Sequence, residues 1–256
     1  ARNIELNVDG VVYACTTDVT PLGQKYFSGM RGSNVFNAVS GRQVYRLRVY
    51  GRTYHVLTPK TGWTAAENVA RLLPELADFM DQENRKLNAS LGTGKPWMRL
   101  QHISAPEYDR AGDNYVDLII SRTVAPDEEP AAVWDRFRHW VEEQTANRDH
   151  LTVEVGKEVD LPPYSTPPDH PLVQATVQAV EAVRGLKPNV APMPTPTGIA
   201  RLLRHQPYPV VLFGFGSVNF HHAIDERIPL RDIVDTVKVY ALIMAAYLGY
   251  SRGTSQ

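Results

Sequence analysis

The chain of 256 residues contains a single cysteine, Cys15, so it can form neither an intrachain disulfide nor a cluster of thiolate metal ligands. A free cysteine is most often a small buried residue, and this is our interpretation of Cys15. The scarcity of cysteine suits a reducing compartment, and we predict a cytoplasmic protein.

Long apolar runs and an excess of one charge are also missing. No stretch approaches the ~20 apolar residues of a membrane span, and the first residues lack the apolar core of a signal peptide. The 27 basic and 28 acidic residues give a formal net charge of -1, which argues against nucleic acid or an anionic membrane as the main partner. We therefore expect a small molecule or a peptide as the ligand.

Three common catalytic signatures are absent. The sequence has no GxGxxG after a predicted strand, no GxxxxGK[ST] phosphate loop and no GxSxG nucleophile elbow. These absences argue against nucleotide binding and serine hydrolysis. The 43% of apolar residues is ample for one large or two modest globular domains.

Periodicity in the middle of the chain predicts an α+β domain. Thr64 and Glu67 have the spacing of a capping box at the start of the first helix. The element order is typical of the ferredoxin-like arrangement, in which two helices cover one face of a four-stranded antiparallel sheet. The predicted elements are a strand at 44–50, a helix at 64–87, strands at 97–104 and 115–122, a helix from residue 130, and a strand at 151–155.

The flanking segments predict a layered α/β domain into which the central domain is inserted. The proline-rich segment 161–168 indicates a boundary, because clustered prolines remove backbone donors. We assign residues 43–155 to the inserted domain, and residues 1–42 and 156–256 to the other. The first forty residues predict a strand at 11–16 followed by a long loop. The second flank predicts helices at 171–184, 198–204 and 230–248, and a buried strand at 208–213.

The last helix carries apolar residues at helical spacing, which we expect to be its buried face. The members of this stripe are Ile233, Val234, Val237, Tyr240, Ala241, Met244 and Leu248.

The loop after strand 208–213 is the most informative segment. It reads FHHAIDERIPL, and His222 stands three residues before Asp225 and four before Glu226. A lone loop histidine is more often structural than a ligand. This segment, however, resembles the last metal-ligand motif of the dinuclear-zinc amidohydrolases, the family of aminoacylases, acetylornithine deacetylases, succinyl-diaminopimelate desuccinylases and glutamate carboxypeptidases. The resemblance implies that His222 binds metal and that Glu226 supports the loop around it.

Two further segments resemble motifs of the same family. Asp18 in VVYACTTDVT stands where the family has the acidic metal ligand of a strand ending in E-P-T, although Val19 replaces the proline. A solvated aspartate at a strand end is the alternative interpretation. His55 in GRTYHVLTPKTGWTA resembles the histidine of G-x-x-x-H-x-x-x-P-x-x-G-x-N-A, with Thr64 in place of asparagine. In the family this histidine of the inserted lid reaches the active site of a neighbouring subunit, where it stabilises the oxyanion.

Arg201 lies in TGIARLL, which resembles the family's T-S-D-A-R-F-L. The resemblance implies that Arg201 binds the carboxylate of the substrate through its guanidinium fork. Ile199 stands where that motif has its acidic residue. Arg122 resembles the arginine of an R-x-x-P motif, although its spacing to Pro126 is one residue longer, and we interpret it as structural.

The resemblance is incomplete. The family also needs an H-x-D motif and an E-E pair whose first glutamate is the general base, and neither is present in a suitable context. In the family both precede the strand of Asp18, so the sequence resembles a C-terminal half with a complete lid. Two protein ligands cannot hold two zinc ions tightly, and we expect the chain alone to be inactive.

The sequence therefore predicts a subunit or fragment of a zinc-dependent amidohydrolase that cleaves an N-acyl amino acid or a peptide-like amide bond. An N-terminal half on another polypeptide would supply the remaining ligands and the base, and the lid would mediate dimerisation. The resemblance implies two zinc ions, with cobalt or manganese as alternatives.

Two other hypotheses remain open at this stage. The chain could be a non-catalytic family member that serves as a dimerisation or ligand-binding module, which the departures at Val19, Thr64 and Ile199 favour. It could also be an unrelated α/β binding domain, but several motif matches in the family's order would then be coincidental.

Overall fold

A computed structural model describes residues 11–14, 33–52, 62–91, 97–106, 114–146, 148, 150–203, 208–217 and 224–247. The chain divides into two compact units, Gly41–Pro163 and the combination of Ala1–Ser40 with Tyr164–Gln256. Each unit has its own sheet, and the α/β fold class predicted from the sequence is confirmed. None of the described helices is long and apolar enough to cross a membrane.

The described part of the chain contains nine strands and five helices. In order they are β1 (Val11–Ala14), β2 (Asn34–Val39), β3 (Gly41–Tyr50), α1 (Ala65–Leu91), β4 (Met98–Ser104), β5 (Tyr115–Val124), α2 (Pro130–Thr145), β6 (Thr152–Leu161), β7 (Tyr164–Ser165), α3 (Pro171–Arg184), β8 (Asn189–Met193), α4 (Ile199–Leu203), β9 (Val210–Phe213) and α5 (Leu230–Tyr247).

The unit Gly41–Pro163 has the predicted ferredoxin-like arrangement. Its four strands follow the order β4-β5-β3-β6, and all neighbours are antiparallel. Alternate residues of β3, such as Tyr45 and Leu47, are fully buried in a core that also contains Leu76 of α1 and Phe137 of α2. The Tyr45 and Phe137 rings stack with centroids 4.4 Å apart. Both helices therefore pack on one face of the sheet.

The capping box at the start of α1 is confirmed. The Thr64 backbone N–H donates to Glu67 Oε2 at 2.9 Å, and the Glu67 N–H donates to Thr64 Oγ1 at 3.2 Å. These bonds satisfy two backbone donors that no helical carbonyl can reach.

A buried ion network joins α1, β5 and the segment before α2. Arg122 is 1% exposed, and its Nη2 lies 2.7 Å from both Glu83 Oε2 and Glu128 Oε1. Arg136 Nη2 approaches the same two carboxylates at 3.2 and 3.1 Å. Arg122 thus has the structural role predicted for it, because both of its carboxylate partners belong to this interior network.

The second unit contains a sheet of order β1-β9-β2-β7, in which β8 also pairs with β2. Along β9, Val211 and Phe213 face a core shared with α3 and α5, whereas Val210 and Leu212 face a core shared with α4. The two-residue repeat of a strand thus places helices on both faces of the sheet. This is the layered arrangement that the sequence predicts.

Strand β2 corrects the sequence interpretation, which placed residues 34–39 in a long loop. All six residues are buried, and β2 pairs with β7, β8 and β9. The Asn37 amide donates to the Thr166 backbone carbonyl at 2.7 Å, so this polar side chain is satisfied inside the unit. Strand β6 also continues beyond residue 155, where its end was predicted, to Leu161.

The orientation of α5 is a second correction. Its buried residues are Asp235, Val239 and Ile243, whereas Val234 and Val237 of the predicted buried stripe are 53% and 61% exposed. The helix is apolar on both faces, so the period of its sequence does not identify the face that meets the core.

Candidate functional site

The predicted metal ligands would lie at the end of the sheet formed by the carboxyl ends of β1 and β9. The two strands are adjacent and parallel, and Ala14 pairs with Phe213 at their last positions. Asp18 follows β1 by four residues, and His222 follows β9 by nine. Both residues lie outside the described ranges. The strands that lead to them nevertheless finish at the same end of the sheet, and open α/β sheets bind their ligands beyond the carboxyl ends of their strands.

The exit from β9 is anchored on α5. The Phe215 N–H donates to Thr236 Oγ1 at 3.0 Å, and the Tyr240 hydroxyl donates to the Phe213 carbonyl at 2.7 Å. The Phe213 and Phe215 rings meet edge to face, with centroids 5.0 Å apart. Gly216 has φ 115°, which side-chain-bearing residues rarely adopt. These contacts fix the start of the segment that continues to His222.

Arg184, in the last turn of α3, ties this exit to α5 by charge. Its guanidinium lies 4.0 Å from the centroid of the Phe215 ring. It also pairs with Asp232 at 2.6 Å and with Asp235 at 2.9 Å. A hydrogen bond from Lys238, together with the charge of Arg184, holds the pKa of Asp235 below its ordinary value. The Asp235 carboxylate therefore remains charged near neutral pH, and its ion pair with Arg184 holds the helix in place.

Arg201, the predicted carboxylate-binding residue, lies on α4. Ile199, Ala200 and Leu203 are buried, whereas Arg201 is exposed. No carboxylate in the described part of the chain forms an ion pair with it. The geometry of the short helix thus leaves the guanidinium accessible to an external anion.

Glu226, the predicted supporting residue, is exposed in the segment before α5. Within the ranges that the structure covers, no hydrogen bond to its carboxylate is present. Its role around His222 stays a prediction.

The residues on either side of the segment 53–61 are joined by a hydrogen bond, but the segment itself, and therefore His55, lies outside the described part. The Arg52 N–H donates to the Trp63 carbonyl at 2.8 Å. Gly51 packs so closely on the start of α1 that an added Cβ would meet the Ala65 nitrogen at 1.9 Å. This close approach gives a physical reason for the glycine four residues before His55.

Each unit has a cavity among its described residues, and the one in the unit of β1 and β9 lies away from the carboxyl ends of these strands. One, of about 250 Å³, includes Thr166, His170 and Val210, at the opposite end of β9 from Phe213. The other, of about 440 Å³, lies in the unit Gly41–Pro163 and is lined by Trp63, Asn68, Arg71, Glu75, Arg148, His150 and Leu151. Sequence reasoning missed both cavities, because their linings come from segments far apart in the chain.

Among the residues that the structure describes, no group of three or more histidine, cysteine, aspartate or glutamate side chains could hold a metal ion. The imidazole of His222 and the carboxylate of Asp18 are donors that zinc accepts, but two donors do not complete a site. A metal centre would therefore need ligands beyond those of the described residues and beyond this predicted pair.

Comparison with solved structures shows the same fold in several peptidases. The neighbours include an M20 family metallo-carboxypeptidase from Sulfolobus solfataricus, with a TM-score of 0.61, 14% identity, and 94% of this chain matched to 64% of that one. A tripeptidase from Staphylococcus aureus has a TM-score of 0.62 and 15% identity, with 94% of this chain matched to 58% of that one. A dipeptidase from Saccharomyces cerevisiae has a TM-score of 0.60 and 14% identity, with 94% of this chain matched to 60% of that one. The chain thus spans about three fifths of the length of these proteins.

No curated protein matches the sequence. The sequence profile of Peptidase family M20/M25/M40 matches residues 55–246, which is most of the chain. This match is incompatible with the hypothesis of an unrelated α/β binding domain. The chain belongs to Peptidase family M20/M25/M40.

Proposed function

We propose that this chain supplies the C-terminal part of the catalytic domain and the lid of a metal-dependent amidohydrolase, which cleaves an N-acyl amino acid or a peptide-like amide bond. The observation that carries the proposal is the parallel pairing of β1 with β9. Because the two strands run in the same direction, the segments of Asp18 and His222 both leave from the same end of the sheet. A polypeptide with the family's H-x-D and E-E motifs would complete the site. More than a third of each of the three solved neighbours has no counterpart in this chain, which supports the proposal that another polypeptide completes the catalytic domain.

In the assembled site His222 and Asp18 would each donate one ligand atom. We propose zinc, with cobalt or manganese as alternatives, because a nitrogen and carboxylate oxygens form a donor set that zinc accepts. Such ions, when bound, polarise the scissile carbonyl and activate water. Glu226 would help to orient the His222 ring. The general base would come from the completing polypeptide.

The lid would contribute His55 to the site of a second copy. The hydrogen bond that joins Arg52 and Trp63 suits this role, because a donor that stabilises an oxyanion must be positioned before the reaction. The lid would also mediate dimerisation. Strand β4 is at an edge of the lid sheet and exposes Ile103, which is 47% accessible. The cytoplasm is the compartment that we propose, on the cysteine content alone.

The test is co-expression with a complementing segment, by which we mean the part of the Sulfolobus solfataricus metallo-carboxypeptidase that this chain does not match, in which we expect the family's H-x-D and E-E motifs. We expect the purified complex to contain zinc and to hydrolyse members of a panel of N-acetyl amino acids and dipeptides. The chain alone should do neither. A complex that forms but stays inactive on the panel at saturating zinc would contradict the proposed activity.

Arg201 gives a separate prediction about substrate binding. Arg201→Gln should raise KM by roughly 10- to 100-fold for an N-acyl amino acid, because a charge-assisted hydrogen bond contributes about 1.5–3 kcal/mol. The value of kcat should change little. The matched control is the corresponding substrate with a C-terminal amide, whose KM should not change. An equal loss for both substrates would show that Arg201 does not bind the carboxylate.

One observation favours the alternative, a non-catalytic family member that acts as a dimerisation or ligand-binding module. Ile199, which replaces the acidic residue of the family motif, is 3% exposed and packs in the α4 core. No polar group is therefore available at that position beside Arg201. Metal analysis distinguishes the two proposals, since a complex purified without stoichiometric zinc would support the module.

A further inference from the structure

The larger cavity, of about 440 Å³, lies between two walls of the lid. One wall is a face of α1, on which Asn68, Arg71 and Glu75 have the i, i+3 and i+7 spacing of residues on one side of a helix. The other wall carries Arg148 and His150, just before β6. The Asn68 amide joins the walls, since its Nδ2 donates to the His150 carbonyl at 3.0 Å. Asn68 is buried, so this connection fixes the shape of the cavity.

The positive charges around the cavity exceed the negative ones among the described residues. Glu75 is the acidic residue of the lining, and Arg148 neutralises it, with its Nη2 2.8 Å from Glu75 Oε1. Arg71 stands four residues before Glu75, at the usual spacing of a helical ion pair, but it does not pair with it. Its guanidinium lies on the Trp63 ring instead, 3.6 Å from the centroid. The charge of Arg71 is therefore not matched by a carboxylate in the described part of the chain.

The stacked position of Arg71 leaves its hydrogen-bonding capacity unused. A guanidinium that lies flat on an aromatic ring keeps its N–H donors at its rim, and these donors fit a carboxylate in a bidentate geometry. The side chain is exposed, and no hydrogen bond from it to another described residue is present. Arg71 is thus both held in place by Trp63 and accessible to an anion.

The remaining lining suits an organic anion of small size. Trp63 and Leu151 supply apolar surface, and the exposed imidazole of His150 adds a polar group. The volume of about 440 Å³ falls within the range of small-molecule pockets, about 300–1,000 Å³. A single inorganic oxyanion would leave most of this space unfilled.

We propose that this cavity binds a small organic carboxylate, whose carboxylate group is held by Arg71 and whose apolar part lies against Trp63 and Leu151. All of the described lining residues belong to the lid, whereas His222 and Arg201 belong to the other unit. The site is therefore additional to the predicted hydrolytic site. The inference goes beyond the proposed function and does not depend on it, because the chain alone contains these residues.

Calorimetric titration of the purified chain with N-acetylleucine tests the proposal, since this probe combines one carboxylate with an apolar side chain. We expect saturable binding that Arg71→Gln weakens at least about tenfold, because the substitution removes a charge-assisted hydrogen bond. N-acetylleucine amide, which lacks the carboxylate, should bind the parent chain more weakly by a similar factor. Arg71→Gln should keep the unfolding midpoint of the parent, since the side chain is exposed.

Two other arginines provide matched controls. Arg85→Gln changes an exposed arginine of the same helix, which lies roughly 21 Å further along the axis at 1.5 Å per residue. Arg201→Gln removes the residue that we propose as the carboxylate ligand of the hydrolytic site. Both variants should bind N-acetylleucine at the lid site as the parent does.

Trp63→Phe tests the position of the ligand by a separate measurement. Of the four tryptophans, Trp63 is the one that lines the cavity. N-acetylleucine should change the tryptophan fluorescence of the parent. The phenyl ring of Trp63→Phe still offers a face to Arg71, so this variant should bind the probe but lose the fluorescence change.

Absence of saturable binding, or equal affinity of the parent and Arg71→Gln for N-acetylleucine, would overturn the inference. Binding that Arg201→Gln abolishes and Arg71→Gln does not would also overturn it, because the carboxylate would then lie on α4. Binding of inorganic phosphate that N-acetylleucine does not displace would reject an organic carboxylate as the ligand. Failure of the proposed function is distinguishable, since the chain alone should bind the probe even if its complex with the complementing segment is inactive.

Discussion

His222→Ala is expected to remove metal and activity together from the complex with the complementing segment. Loss of a residue that only supports a ligand lowers metal affinity by roughly 10- to 100-fold, so loss of a ligand itself should exceed that range. We expect kcat/KM to fall at least about a thousandfold, because the metal ion would both polarise the carbonyl and activate water. Zinc titration and turnover on the same preparation measure the two effects.

His221→Ala is the matched control, since it removes the neighbouring imidazole from the same loop. The spacing to Asp225 and Glu226 assigns the ligand to His222, and the His221 variant should keep most of its metal and activity. A larger loss of metal and activity in the His221 variant would show that His221, and not His222, is the ligand. Equal metal content and turnover in the wild type and the His222 variant would reject the site.

Arg122→Met should destabilise the unit Gly41–Pro163 by about 3–5 kcal/mol, the usual effect of removing one partner from a buried ion pair. Glu83 is 2% exposed and would lose the closest of its three cations, at 2.7 Å, and keep Lys86 and Arg136 at 2.8 and 3.2 Å. The free energy of unfolding in urea, followed by tryptophan fluorescence, measures the change. Arg46→Met is the control. Arg46 and Glu158 are 39% and 46% exposed, so this variant should lose less than about 1 kcal/mol.

The pH dependence of stability should report the same network. Burial alone would raise the pKa of Glu83, but hydrogen bonds from Lys86, Arg122 and Arg136 lower it to about 2. The folded state therefore binds this proton less readily than the unfolded chain, whose pKa is near 4.5. The contribution of Glu83 to the free energy of unfolding is therefore complete above pH 4.5 and is lost as the pH falls toward about 2. Arg122→Met should weaken this acid dependence, because only the Lys86 and Arg136 contacts would remain, and an unchanged profile would contradict the assignment.

Glu83→Leu combined with Arg122→Met should recover part of the loss, because it removes the buried carboxylate together with its closest cation. This comparison separates the buried charge from simple loss of packing. A double variant no more stable than Arg122→Met alone would attribute the effect to packing.

The lid could be predicted in detail because its signals are local. The capping box of Thr64 and Glu67, the alternation in β3 and the stripe of α2 each lie within one element, and their order matched a known arrangement. Strand β2 was missed because its polar residues are satisfied by distant groups, such as the Thr166 carbonyl that accepts from Asn37. No pattern within residues 34–39 records a partner 129 positions away.

The sequence predicted which types of residue the candidate site contains, but only part of their arrangement in space. Short motifs predict site roles for His222, Asp18, His55 and Arg201, and the structure adds the parallel strands before the first two and the exposed position of the last. The anchoring of Phe215 by Thr236 and Arg184 was not predictable, because it joins three elements.

The sequence by itself determined the family, the element order and the absence of the H-x-D and E-E motifs, since these are properties of residue type and spacing. Only the tertiary structure decided which face of α5 meets the core. A helix that is apolar on two sides satisfies the same helical period in either orientation, and the choice depends on Arg184, Phe213 and Phe215, which belong to other elements. That choice left Val234 and Val237 exposed.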